Sequence, residues 1–182
     1  YKQMEFLKDS LGLAMYINPE FATAGAMSRM IRYPSAKVST VARGRAEMVT
    51  LALPSTNKLV GMDLSSIKKK FGKEVLICAI QRKNEVIVPD GSTVLEAGDK
   101  ISVIGSPVNV DAMLTKVHLL NDKIKNVMIV GGGRIAYYLS AQLMKMNINV
   151  KIIEIDKERC HELCEHFPDA EIIHGDASNH HL

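Results

Sequence analysis

Three consecutive glycines follow a short apolar run, and the segment after them has helical character. They open a G-x-G-x-x-A pattern made up of Gly131, Gly132, Gly133, Arg134, Ile135 and Ala136. In such a turn the first glycine allows a sharp change of direction, and Gly133 lets a pyrophosphate approach the backbone. The third small residue, Ala136, allows the helix to lie on the strand. The pattern predicts the phosphate-binding opening of a dinucleotide-binding fold, although glycines also end strands for purely structural reasons.

An acidic residue stands where such a fold places its ribose contact. Glu154 ends the next predicted strand, Val150–Glu154, about 20 residues after the glycine turn. A carboxylate at that strand end can accept both ribose hydroxyls of an adenosine and would repel a 2′-phosphate. We therefore expect NAD or NADH, or another adenine nucleotide, rather than NADP. The alternative is a strand-end acid that faces water.

A third predicted strand, 170–174, leads to a further polar turn at Asp176 and Ala177. Carboxyl ends of parallel strands form the edge at which open α/β sheets bind ligands. Asp176 could therefore face the adenine, and a helix cap is an equally good role for it. Asp156 is expected to cap the helix that follows Glu154. The predicted cofactor-binding residues are Gly131, Gly132, Gly133, Arg134, Ile135, Glu154, Asp176 and Ala177.

Two cysteines one helical turn apart, Cys160 and Cys164, have histidines nearby and invite a metal interpretation. However, Leu163 and Phe167 share their helix face, and the spacing lacks the C-x-x-C knuckle of tetrahedral zinc sites. We expect a buried stripe and no metal. Elsewhere the sequence shows no nucleophile elbow, Walker loop or paired carboxylates. A cofactor site without a reaction centre favours ligand sensing over catalysis, so no enzyme activity is predicted.

Composition narrows the class of protein further. The 182 residues carry a net charge of +3 with no basic stripe, so nucleic-acid binding is not expected. No run approaches the roughly 18 to 20 apolar residues of a membrane span. Three cysteines fit a reducing compartment, and the cytosol is the default location. The chain begins with Tyr1 and looks cut from a longer polypeptide at both ends.

The glycine turn lies late in the chain, and different elements precede it. A helix is predicted to start at Asn18-Pro19-Glu20 and run to about Tyr33, and its methionine-rich apolar stripe suggests dimerisation. Strands and two helices then alternate up to residue 120, and 121–125 read as a linker. Their predicted bounds are strands 47–53, 75–80, 86–88 and 100–105 and helices 64–71 and 110–117, the last with Asn109 as its cap. The fold class is therefore α/β and α+β: a small α+β domain, then a partial Rossmann-like, doubly wound parallel sheet.

This order of blocks resembles the Trk-type potassium-uptake regulatory subunits. Three stretches carry the resemblance: the helix from Asn18-Pro19-Glu20 to Pro34, the segment Val88–Asp99, and the glycine turn with Glu154 and Gly175-Asp176-Ala177. Ala136 replaces the commoner third glycine. The resemblance implies a crossover-helix region at 1–35 that ends a first nucleotide-binding domain. It implies a small regulatory domain at 36–120 and the N-terminal half of a second NAD-binding domain at 126–182.

The resemblance also implies a function. It describes a cytoplasmic subunit, peripheral at the inner face of the membrane, that binds NAD or NADH and gates a potassium-translocating membrane partner. A homo-oligomer, a dimer or higher, is expected, with no insertion into the membrane. Three alternatives stay open: an NAD-dependent oxidoreductase fragment, a small domain that itself senses a metabolite or cyclic dinucleotide between two copies, and the ligand-sensing domain of a potassium channel or cation antiporter.

Overall fold

The structure is a computed structural model that describes residues 17–71, 74–120 and 124–179. The chain divides into two compact units, Arg29–Lys123 and Tyr1–Ser28 with Ile124–Leu182. Residues 1–16 of the predicted crossover region and 121–123 of the predicted linker lie outside the described residues. None of the described helices is both long and apolar enough to cross a membrane.

The first helix, α1 (Pro19–Arg32), is capped as its sequence predicts. The Asn18 side-chain oxygen accepts the N–H of Phe21 at 2.8 Å, and proline occupies the first helical position. Its apolar residues are divided, because Ala24 is buried whereas Met27 and Met30 are exposed. The helix ends just before Tyr33, a buried residue of the small unit's core.

The unit Arg29–Lys123 is a five-stranded antiparallel sheet with two helices. Its elements are β1 (Lys37–Val41), a 3-10 turn (Ala42–Gly44), β2 (Ala46–Ala52), α2 (Leu64–Phe71), β3 (Val75–Arg82), β4 (Glu85–Ile87), β5 (Lys100–Gly105) and α3 (Pro107–Lys116). The strand order is β1-β2-β5-β3-β4. Its core consists of apolar side chains from the sheet and both helices, among them Val49, Ile67, Ile101, Val103 and Leu114.

Two predictions for this unit were wrong. The helix α3 begins at Pro107, not Val110, and its cap is Ser106, not Asn109: the Ser106 hydroxyl accepts the N–H of Asn109 at 3.3 Å. Serine followed by proline is itself a strong helix start, and it outweighed Asn109, which lies three positions after the serine. Strand β1 was not predicted. Its burial pattern does not alternate, and it forms at the sheet edge by antiparallel pairing with β2.

The other unit holds a three-stranded parallel sheet in the order β6-β7-β8. Its strands and helices alternate along the chain: β6 (Asn126–Val130), α4 (Arg134–Lys145), β7 (Asn149–Glu154), α5 (Lys157–His166) and β8 (Glu171–His174). Parallel neighbours need a crossover connection, and α4 and α5 supply it. Ile152, Leu139 and Leu163 are among the fully buried side chains. The expected fold class is confirmed.

Candidate functional site

The glycine turn joins β6 to α4 at the carboxyl edge of the parallel sheet. Gly131 has a φ of +90°, which favours glycine, and its N–H donates to the carbonyl of Ile153 at 2.8 Å. On the other side of β7, the N–H of Gly175 donates to the carbonyl of Glu154 at 2.9 Å. The turns after β6 and β8 therefore flank the end of β7, as predicted.

Gly133 is the cap residue of α4 and carries no side chain that could bind the first amides of the helix. The first-turn N–H groups of a helix have no partner within it and bear a partial positive charge. A Cβ placed on Gly133 would meet no atom within 4 Å. The space that a side chain would occupy at this position is therefore open.

Gly132 is enclosed instead. A Cβ on Gly132 would lie 2.5 Å from Cδ1 of Leu163 and 3.0 Å from Oε2 of Glu154. The middle position of a G-x-G turn is free in the general pattern, but here the packing of α5 and β7 requires glycine. No local sequence pattern indicates this, because Leu163 belongs to a different helix.

The Glu154 carboxylate binds the turn directly. Its Oε2 accepts the N–H of Gly132, and its Oε1 accepts the N–H of Asp156 at 2.9 Å. The hydrogen bonds from Asp156 and then from Gly132 hold the pKa of Glu154 below its ordinary value. Ionised carboxylates offer about four acceptor positions, so roughly two remain for ribose hydroxyls. The acid is half-buried.

Arg159 was missed by the sequence reasoning. It lies three residues after Asp156, whose carboxylate caps α5 by accepting the Arg159 N–H at 3.0 Å. The Arg159 side chain donates from Nε to the carbonyl of Gly132 at 2.8 Å and from Nη1 to Glu162 at 2.5 Å. Side chains in the first turn of a helix lean toward its N-terminus, which is the signal that could have placed this guanidinium beside the glycine turn.

The remaining predicted residues lie at the same edge of the sheet but differ in their exposure and contacts. Arg134 is the first residue of α4, has 82% of its side chain exposed and is 3.6 Å from Glu20. Ile135 is 38% exposed. The Asp176 carboxylate accepts the N–H and the hydroxyl of Ser178, which lower its pKa in that order, so it stabilises its own turn. Ala177 is exposed.

The cysteine prediction was correct only in part. Cys160, Leu163 and Phe167 are buried, whereas Cys164 is exposed, because it lies beyond the edge of the packed stripe. Burial raises the pKa of the Cys160 thiol. Among the described residues no group of three or more His, Cys, Asp or Glu side chains could hold a metal ion.

In this chain a small α+β unit is followed by a strand, a glycine turn and a helix, and the next strand ends in an acid. This order is typical of two-domain proteins that contain a Rossmann-like domain. The TrkA-C domain family matches residues 48–118, and the TrkA-N domain family matches residues 127–182. The chain therefore combines a TrkA-C domain with a TrkA-N domain.

Individual relatives agree with this assignment. The Trk system potassium uptake protein TrkA of Haemophilus influenzae is 32% identical over 183 residues, which are 100% of this chain and 40% of that protein. TrkA homolog 2 of Methanosarcina mazei is 30% identical over 93% of this chain and 38% of that protein. The chain thus spans about two fifths of these relatives' length. The crystal structure of the GsuK RCK domain matches with a TM-score of 0.45 and 16% identity, covering 93% of this chain and 36% of that one.

Proposed function

We propose that the chain is part of a regulatory subunit that binds NAD or NADH, or another adenine nucleotide, and gates a potassium-translocating membrane partner. The observation that supports it best is the joint position of an open helix N-terminus at Gly133 and an ionised Glu154 carboxylate at one sheet edge. The matches to the TrkA-C and TrkA-N domain families support the potassium-uptake context. No catalytic residue belongs to this proposal.

Each predicted residue has a role in the proposed binding. Gly133, Arg134 and Ile135 present backbone amides to the phosphates, with Gly131 and Gly132 shaping the turn. Glu154 accepts the ribose hydroxyls through the carboxylate positions that the backbone leaves unused. Asp176 and Ala177 lie at the adenine end, where Asp176 keeps the turn after β8 in shape. A 2′-phosphate would be repelled by Glu154, so NADP binds more weakly.

The proposed protein is cytoplasmic and peripheral at the inner face of the membrane, acts as a dimer or higher homo-oligomer, and neither binds nucleic acid nor enters the bilayer. Its proposed domains are those of the sequence: 1–35, 36–120 and 126–182. Nucleotide binding changes potassium flux because a ligand that binds one arrangement of the domains better shifts the population toward it.

Binding can be tested by calorimetric titration of NADH into the full-length protein. Glu154→Ala removes a charged hydrogen-bond acceptor, and we expect a loss of about 1 to 3 kcal/mol in binding free energy. Asp169→Ala is the matched control, because it removes an exposed acid in the turn before β8, at the opposite edge of the same sheet. Equal affinities for the wild type and Glu154→Ala would reject Glu154 as the ribose acceptor.

Gating needs a second experiment, in which potassium uptake is followed in cells that depend on the protein. We expect Glu154→Ala to change how uptake responds to the NADH level, while Asp169→Ala behaves as the wild type. Uptake that is independent of the protein would exclude the transport role. Hydride transfer between NADH and small carbonyl compounds would instead favour the oxidoreductase alternative.

A further inference from the structure

Two successive peptide groups of the glycine turn are held by side chains from the second strand-helix unit. The peptide that joins Gly131 to Gly132 is fixed at its N–H, which donates to Glu154. The next peptide, between Gly132 and Gly133, is fixed at its carbonyl, which accepts from Nε of Arg159 at 2.8 Å. The first of these contacts involves Glu154, the proposed ribose acceptor. The second has no part in nucleotide binding as described above.

The second contact determines where a phosphate-binding amide points. In a trans peptide the C=O and the N–H lie in one plane and point in opposite directions. When Arg159 draws the Gly132 carbonyl toward α5, the N–H of Gly133 must point away from α5. The side-chain position of Gly133 is unoccupied as well, since a Cβ there would meet no atom within 4 Å.

The Arg159 side chain is itself fixed. Its backbone N–H donates to the Asp156 cap at 3.0 Å, and its Nη1 binds Glu162 at 2.5 Å, one turn further along α5. About a third of the side chain is exposed. A guanidinium that donates to both Glu162 and the Gly132 carbonyl can keep a single orientation of the peptide.

We propose that Arg159 is a positioning residue that aims the Gly133 N–H at the phosphate of a bound nucleotide, and so makes the site selective for phosphate-bearing adenine ligands. Arg159 acts through the backbone and touches no part of the ligand. This role rests on the proposed nucleotide-binding function. Glycine at 132 has a separate cause, because only a residue without Cβ lets Leu163 and Glu154 approach this closely.

The test compares ADP with adenosine, which lacks the phosphates, by calorimetric titration of the full-length protein. Arg159→Met keeps the aliphatic stem and removes the donor, and we expect its dissociation constant for ADP to rise about tenfold. Its affinity for adenosine stays within error of the wild type. Arg159→Lys retains a donor at a similar reach and recovers most of the ADP affinity. Lys145→Met, which removes one positive charge at the far end of α4, is the matched control and binds both ligands normally.

A second readout needs no ligand. In protein labelled with ¹⁵N-glycine, the Gly133 amide resonance should shift in Arg159→Met and stay in place in Lys145→Met. Equal losses for ADP and adenosine, or an unmoved Gly133 resonance, would overturn the positioning role. Failure of Arg159→Lys to recover ADP binding would also overturn it, because it would indicate a direct guanidinium contact. A wild-type protein that binds neither ligand would refute the proposed function itself, and this role with it.

Discussion

Alanine substitutions at the three glycines of the turn should give three different results, because each glycine is there for a different reason. At Gly132, the new Cβ would lie 2.5 Å from Cδ1 of Leu163 and 3.0 Å from Oε2 of Glu154. At Gly131 it would meet no atom within 4 Å, but the backbone has a φ of +90°. At Gly133 the Cβ is unobstructed and φ is −66°.

The magnitudes follow from these causes. Gly132→Ala forces Leu163, which is 1% exposed, to move within a packed layer, and such overpacking costs about 1 to 3 kcal/mol. Gly131→Ala costs about 1 to 2 kcal/mol through backbone conformation alone. Gly133→Ala should be close to neutral, because a gain of about 0.4 to 1 kcal/mol from restricting the unfolded chain is offset by the poorer fit of alanine at a helix cap. It should nevertheless weaken nucleotide binding, since its methyl occupies the open space.

Urea unfolding of the full-length protein, followed by far-UV circular dichroism, separates these effects. The decisive variant is the double substitution of Gly132→Ala with Leu163→Val, which removes the δ carbons that the new methyl would strike. Leu163→Val alone should cost roughly 1 kcal/mol. If the clash is the cause, the double substitution costs less than the sum of the two single ones, whereas Gly131→Ala with Leu163→Val is additive.

A Gly133→Ala protein as unstable as Gly132→Ala would contradict these assignments, since this would mean that helix entry tolerates no side chain at either position. Additivity of Gly132→Ala with Leu163→Val would be equally damaging, because the contact with Leu163 would then not be the cause of the loss.

Two further predictions concern the small unit. Asp99 is buried and binds Nε and Nη2 of Arg82, each at 2.9 Å, and the Arg82 hydrogen bonds hold the pKa of Asp99 below its ordinary value. This contact therefore stabilises fully above the ordinary aspartate pKa and less as pH falls through the lower folded value. When the free energy of unfolding is measured as the pH is lowered, the wild type should lose this stabilisation. Asp99→Asn should be less stable at neutral pH and should lose less on acidification. Parallel curves for the two proteins would contradict the stabilising role of the Asp99–Arg82 contact. Ser106→Ala should cost about 1 kcal/mol in thermal unfolding and Asn109→Ala much less, because only Ser106 caps α3; the opposite order would restore Asn109 as the cap.

Local signals were enough for most elements. Asn18 and Pro19 begin α1, the predicted bounds of α2 and β5 agree with those observed, and Glu154 ends β7. Each has a cap, a turn residue or an apolar period within a few positions of its ends. The edge strand β1 has no such signal, since its pairing with β2 is what makes it a strand. Pattern alone could not have found it.

The candidate site, too, could be predicted from local sequence signals only in part. The sequence identified the backbone of the turn and the acid opposite it, because glycine spacing and strand-end position are local properties. The contacts that fix Gly132 come from Leu163 and Arg159, about thirty positions away on α5, and only the packing of α5 against the sheet brings them to the turn. The general pattern leaves that middle position variable, so the requirement for glycine there belongs to this chain's packing.

Glu154 accepts two backbone hydrogen bonds, and this determines how its role must be tested. Both carboxylate oxygens accept a backbone N–H, from Gly132 and from Asp156. In Glu154→Gln only one of the two terminal atoms is an acceptor, so the amide NH₂ must face one of those N–H groups, and one donor loses its partner. The glutamine variant therefore disturbs the turn even without a ligand, by about 1 to 3 kcal/mol for the lost hydrogen bond to a charged group and the NH₂ that faces the N–H in its place. Glu154→Ala leaves both N–H groups open to water. We expect Glu154→Gln to be the less stable of the two proteins in thermal unfolding, despite its closer shape; the reverse order would mean that the carboxylate does not hold the turn in the ligand-free protein.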